Sequence, residues 1–101
     1  MGRVQIKISP SLLAMTSFGE KGDWLTLPRE INGNTTIGRV LRSLTEEYTE
    51  FIPVIFDNTS GNITDDINVV LNETMMLTSE AHKVRLKDGD VITLLPVYTG
   101  G

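Results

Sequence analysis

The sequence ends in Gly100-Gly101, and this pair is its clearest candidate for chemistry. Glycines lack a Cβ atom, so they can pass through a narrow channel and bring a C-terminal carboxylate to a buried site on another protein. A carboxylate reacts once its oxygen becomes a leaving group, for example by adenylation with ATP, after which sulfide or an amine can attack the carbonyl carbon. The pattern therefore predicts Gly101 as an acyl donor. The opposing interpretation is a frayed chain end without function.

The other polar candidates favour structural roles. The sequence has no cysteine, and His82 is its only histidine, so neither a thiolate site nor a histidine-rich metal site is expected. Asp65 and Asp66 are adjacent, so their side chains diverge in an extended loop and solvate a turn. Met75 and Met76 are expected to fill the core. No glycine-rich phosphate motif precedes a helix, so we expect ATP to bind a partner and this chain to hold no cofactor or metal.

Length and composition predict one soluble domain over residues 1–101. The chain is 40% hydrophobic and 22% charged, which is typical of a globular protein. Its net charge of −4 makes nucleic acid a poor partner. The N-terminus lacks the apolar core of a signal peptide, and no stretch approaches the roughly 18 apolar residues of a membrane span. We therefore expect a cytoplasmic protein with no membrane partner.

The first half of the chain predicts two strands and a helix. Apolar residues alternate from Val4 to Ile8, and Asp23–Leu27 forms a second short strand that ends before Pro28 and pairs with the first. Residues 10–22 form a long connection with a short helical turn. After a cap at Thr35 or Thr36, the helix is predicted to end before Pro53. Its apolar stripe consists of Ile37, Val40, Leu41, Leu44, Tyr48 and Phe51.

The second half predicts a loop, a third strand and a hairpin turn that leads into the last strand. Residues 57–66 are polar and acidic, as in a surface loop, and a strand follows at Ile67–Leu71. Val84 and Leu86 then lead through Asp88-Gly89 into residues 91–95, which predicts a two-residue hairpin. The order is strand, strand, helix, strand, strand. It favours an α+β domain whose main helix crosses one face of a mixed sheet.

The segment LKDGDVITLLPVYTGG and the order of elements resemble the β-grasp, ubiquitin-like sulfur-carrier family, which includes the small subunit of molybdopterin synthase and the thiamine-pathway carrier. The resemblance spans essentially the whole chain, and its most specific part runs from Asp88 to Gly101. In the molybdopterin member, two aromatic residues and two prolines commonly precede the Gly-Gly pair. Here Leu94 and Leu95 replace the aromatics and Val97 replaces the second proline, which leaves the subfamily open.

The resemblance implies that a ubiquitin-activating-like adenylyltransferase adenylates Gly101 and that the product becomes a thiocarboxylate. The chain would then be a co-substrate rather than an enzyme. As the small subunit of molybdopterin synthase, the leading alternative, it would insert its tail into the large subunit, in a heterotetramer. The rivals are a carrier for thiamine or cysteine synthesis, a modifier joined to lysine through Gly101, and an interaction domain with an inert tail.

The residues before Gly101 predict how a partner would hold the chain. Tyr98, Thr99 and Gly100 would thread into the partner, and residues 97–101 are expected to be mobile in the free protein. In the last strand, Ile92 and Leu94 face one way, whereas Val91, Leu95 and Val97 face the other. One helix covers only one face, so we expect a docking surface at Leu95, Pro96 and Val97. The alternative is a central strand buried on both sides.

Overall fold

The computed structural model describes residues 2–97, apart from the side chains of Glu20 and Lys21. Its five-stranded sheet has the order β2-β1-β5-β3-β4. In this sheet β1 pairs antiparallel with β2 and parallel with β5, while β3 pairs antiparallel with both β5 and β4. The strands are β1 (Gly2–Ile8), β2 (Leu25–Ile31), β3 (Ile67–Leu71), β4 (Thr74–Met76) and β5 (Val91–Pro96).

Helical segments cover one face of the sheet. The longest, α2 (Ile37–Glu47), begins at Thr36, whose hydroxyl accepts the Arg39 amide at 3.2 Å. Its apolar stripe packs on the buried side chains of β1, β3 and β5 to form a single core. The short helices are α1 (Pro10–Leu13), α3 (Ile52–Ile55) and α4 (Thr78–Ala81), with 3₁₀ turns at Ser17–Lys21 and Thr49–Phe51. The predicted α+β, β-grasp architecture is confirmed.

The second strand was predicted too early in the chain. It runs over Leu25–Ile31 and includes Pro28, which pairs with Gln5 of β1. A proline is tolerated here because β2 is an edge strand, whose outer side has no neighbour that needs an amide donor. The pairing of the first two strands is confirmed.

The predicted hairpin between Val84 and Leu95 is wrong. Residue Arg85 instead forms an isolated bridge with Thr36, and β5 pairs with β1 and β3. The true hairpin joins β3 to β4 through Asn72 and Glu73, with Asn72 at a φ of 57°. Asparagine adopts this left-handed conformation more readily than most residues, so a two-residue turn forms without glycine.

The main helix is shorter than its apolar stripe predicted. It ends at Glu47, and Tyr48 and Phe51 follow in a tighter turn that still buries Phe51 completely. Pro53 lies in the first turn of α3, where a missing amide hydrogen costs no helical hydrogen bond. Periodicity identified the buried side chains correctly, but not the change of axis between the two helices.

The Glu50 carboxylate links the connection after α1 to the 3₁₀ turn that follows α2. Glu50 accepts the Ser17 amide at 2.9 Å and the Ser17 hydroxyl, which hold the pKa of this carboxyl below its ordinary value of 4.5. A lowered pKa in the folded state adds stability above pH 4.5, and this contribution is lost as the pH falls through the folded-state value. We expect Glu50→Gln to be less stable than the wild type at pH 7, with the difference shrinking below pH 4.5.

Chemical denaturation at pH 7 and pH 3 measures this effect. Ser17→Ala is the partner control and should show the same pH dependence. A deficit of equal size at both pH values would contradict a charge-dependent tether.

In residues 2–97, no helix is long and apolar enough to cross a membrane.

Candidate functional site

The proposed reactive group and its tail, Tyr98, Thr99, Gly100 and Gly101, lie outside the described residues. The structure does define where this tail begins. The Leu94 carbonyl accepts the Ser9 amide at 3.1 Å, and the Val97 amide donates to the Asp66 carbonyl at 3.1 Å. These hydrogen bonds hold β5 in place as far as its last residues, next to the ends of β1 and β3. The point where the chain leaves the sheet is therefore fixed.

Two connections hold the other end of β5. Gly89, with a φ of 89°, donates its amide to the Arg3 carbonyl at 2.8 Å, and the Asp88 carboxylate accepts the Arg3 amide at 2.9 Å. The Asn72 side-chain oxygen accepts the Val91 amide at 3.0 Å, and the Asn72 amide donates to the Val91 carbonyl at 2.7 Å. Sequence reasoning missed Asn72. The sequence signal for this turn was an asparagine between two apolar runs, two residues before β4 begins.

The strand β5 has one buried and one accessible face, as predicted. Ile92 and Leu94 are completely buried under the helices. Val91 and Leu95 are half-buried on the opposite face, and Val97 is 37% exposed. The alternative, a strand buried on both sides, is therefore wrong. The role of Leu95, Pro96 and Val97 in docking stays a prediction.

Apolar side chains extend from β5 across the neighbouring strands on this accessible face. Leu95 pairs with Asn68, while Val70 pairs with both Thr93 and Met75. Met75 and Leu77 are 62% and 68% exposed. We call the surface formed by Val70, Met75, Leu77, Leu95 and Val97 the outer-face patch. Asn68 and Thr93 lie between these apolar side chains, and exposed apolar side chains grouped on one face are a feature of interaction sites.

The patch corrects one sequence-based expectation and adds a residue. Met75 does not fill the core, because it points to the outer face, whereas Met76 packs against the core. Trp24 lies one residue before β2, at the end of the sheet where β5 finishes, and is 48% exposed. Large apolar side chains are thus exposed at the end of the sheet from which the tail continues.

The polar candidates are separated from this surface or engaged locally. Asp65 accepts the Thr78 hydroxyl at 2.7 Å, and Asp66 interacts with Thr64, so both carboxylates stabilise the loop. His82 is exposed at the end of α4. Within residues 2–97, no group of three or more acidic or histidine side chains is arranged to hold a metal ion.

The fold, with a Gly-Gly terminus that follows its central strand in the sequence, is that of a class of proteins, the ubiquitin-like β-grasp proteins. Comparison with family models is more specific, because the model of the ThiS family matches residues 25–101. The chain therefore belongs to the ThiS family, and the resemblance inferred from its sequence is confirmed. Members of this class are sulfur carriers and protein modifiers, and are generally not catalysts themselves.

Individual proteins similar to this chain include archaeal modifier proteins. Small archaeal modifier protein 3 of Haloferax volcanii is 28% identical over 71 residues, which cover 70% of this chain and 75% of that protein. The crystal structure of SAMP1 from the same organism superposes with a TM-score of 0.76 at 22% identity, covering 99% of this chain and 100% of that one. The solution structure of small archaeal modifier protein 1 from Methanosarcina acetivorans has a TM-score of 0.67 at 29% identity, covering 100% and 98%.

Proposed function

We propose that this protein is a carrier whose Gly101 carboxylate is activated by a ubiquitin-activating-like adenylyltransferase. The observation that supports this most directly is the family match, which continues through Gly101. The geometry adds to it, since the tail begins at the end of a rigid central strand beside the outer-face patch. In this proposal the patch binds the partner and residues 98–101 enter its active site.

The chemistry follows from the carboxylate. One carboxylate oxygen attacks the α-phosphorus of ATP, which is bound by the partner, and pyrophosphate leaves. The acyl adenylate then has a good leaving group, AMP. Attack by hydrosulfide on the carbonyl carbon releases AMP and leaves a thiocarboxylate at Gly101. The protein then delivers this sulfur to an acceptor on another enzyme.

For the acceptor, we propose the pterin precursor of the molybdenum cofactor, with this chain as the small subunit of molybdopterin synthase beside a large subunit. This choice rests on Pro96 and the closing Gly-Gly pair, which the tail shares with that subfamily, while Leu94, Leu95 and Val97 depart from its pattern. The thiamine and cysteine pathways are the alternative acceptors of the same sulfur.

Modification of proteins is the second candidate function. The observation that favours it is the similarity to archaeal modifier proteins, at 28% and 29% identity. In this case a lysine amine attacks the same acyl adenylate, AMP leaves, and an isopeptide bond forms. Both functions use one activated intermediate, so they differ only in the nucleophile.

Mass spectrometry of the protein from its native cells tests these proposals. The intact mass is measured under denaturing conditions, and the C-terminal peptide is sequenced. We expect part of the protein to carry sulfur in place of one oxygen at Gly101. Gly101 joined to a lysine of another protein would favour the modifier. A mature protein that continues beyond Gly101, or a carboxylate that is never altered when the activating enzyme is expressed, would refute activation at this residue.

A further inference from the structure

A second surface lies on the helical side of the molecule, opposite the outer-face patch. A groove of about 770 Å³ runs along the end of α2 and the start of α3, with Ile52, Pro53 and Phe56 among its lining residues. A cleft of about 230 Å³ adjoins it and shares Arg42, Phe56 and Gly61. Together they form one continuous depression between α2 and the loop at residues 57–66.

The cleft is cationic although the protein is acidic. Arg39, Arg42 and the only histidine, His82, line it, and no carboxylate side chain is among its lining residues. Arg85 lies beside it, because its backbone pairs with Thr36 at the start of α2. Two of the nine Lys and Arg residues of a chain with net charge −4 thus line one small cleft, and the backbone of a third, Arg85, lies beside it.

The Arg42 side chain and the backbone before Arg85 are positioned before any partner arrives. Arg42 lies over the Phe56 ring, with its guanidinium carbon 4.8 Å from the ring centroid, and donates to the Gly61 carbonyl at 2.8 Å. The Ile37 amide donates to the Val84 carbonyl at 2.9 Å, which holds the residue before Arg85 against α2. Among the side chains that the structure describes, ion pairs form at Arg3 and Arg29, so the arginines of the cleft are not ion-paired. Asp57 and Asp65 line the next hollow, which shares His82 with the cleft.

The adjoining groove has a different character. Ile52 is 48% exposed in its wall, and its charged lining residues besides Arg42 are Glu46 and Asp57. A ligand that fills both parts must place apolar groups near Ile52 and keep its negative charges at the cleft. The depression therefore has an apolar end near Ile52 and a positively charged end at the cleft.

We propose that this depression binds an acidic segment of a partner protein, with an apolar side chain beside Ile52 and carboxylates over Arg39, Arg42 and Arg85. Charge complementarity supports a peptide with this pattern. Nucleic acid fits less well, because the protein as a whole repels phosphates and the one aromatic ring of the depression, Phe56, is covered. This site is separate from the outer-face patch, so a bound segment leaves Gly101 available.

Backbone amide spectra of the ¹⁵N-labelled full chain test the proposal, with a synthetic peptide of about twelve residues as the probe. One half of the peptide carries leucines and the other half glutamates. We expect shifts at residues 36–42, 52–63 and 82–85, and weaker binding as salt rises. The double variant R39E/R85E should bind about tenfold more weakly. Arg3→Glu is the control, since it also reverses an exposed charge but lies on the outer face, and its affinity should match the wild type.

Three outcomes would overturn the proposal. The first is equal binding of a peptide with glutamine in place of every glutamate. The second is no shift at these residues at any soluble peptide concentration. The third is tighter binding of a single-stranded RNA of the same length at the same residues, which would assign the cleft to nucleic acid. None of these outcomes depends on the chemistry of Gly101, so failure here leaves the carrier function untouched.

Discussion

Deletion of Gly101, or addition of one alanine after it, is expected to lower adenylation of this protein about 100-fold or more. The reacting carboxylate must meet the α-phosphorus of ATP in a partner's active site, and a shift of one residue moves it by several ångströms. Misplacement of a reacting group by about 1 Å already costs on the order of 100-fold in rate. The measurement is ATP–pyrophosphate exchange with the activating enzyme of the same organism, with the wild-type chain as the reference.

The controls separate loss of the reacting group from loss of the fold. Both variants should unfold at the wild-type temperature, because the core lies within the described residues and none of it involves Gly101. Gly100→Ala keeps the length of the tail and adds only a Cβ atom, so its exchange rate should fall between those of the wild type and the deletion. Full activity of the extended chain would show that the tail is inert and would leave an interaction domain as the remaining interpretation.

The fold was predictable where a segment has one strong periodic signal. The strands β1 and β3 and the start of α2 follow from alternation, from the apolar stripe and from the cap at Thr36. The errors arose where tertiary context decides between local options. Pro28 normally ends a strand, but an edge position tolerates it, and Asp88-Gly89 normally marks a hairpin, but here it caps β1 instead.

The candidate site was predictable only in part. The sequence indicates on which face of a strand a side chain lies, but not which residues of other strands lie beside it. Alternation within one strand determines that Leu95 and Val97 share a face, but it leaves open whether that face is covered, and the structure shows that it is accessible. Which residues of other strands join them depends on pairing register, and β4 was not predicted at all. For that reason Met75 and Leu77, the most exposed members of the outer-face patch, were missing from the expected docking surface.

Leu95→Asp is expected to weaken binding to the activating partner about 100-fold, which corresponds to about 3 kcal/mol. Leu95 is half-buried in the outer-face patch, on the strand that leads into the tail. A docked partner would remove water from this position, and an unpaired carboxylate in an apolar interface is strongly unfavourable. The outward direction of the side chain leaves the core intact, so the variant should still fold. Isothermal titration calorimetry with the purified adenylyltransferase measures the affinity.

Ile52→Asp is the matched control for this experiment. Ile52 is also an accessible aliphatic residue, at 48% exposure, but it lies on the helical side of the molecule. The same change in charge and polarity there should leave the affinity for the adenylyltransferase unchanged. If the two variants lose affinity equally, the effect comes from net charge and not from the surface beside the tail. If neither loses affinity, the partner recognises residues 98–101 alone, and the outer-face patch is not its docking surface.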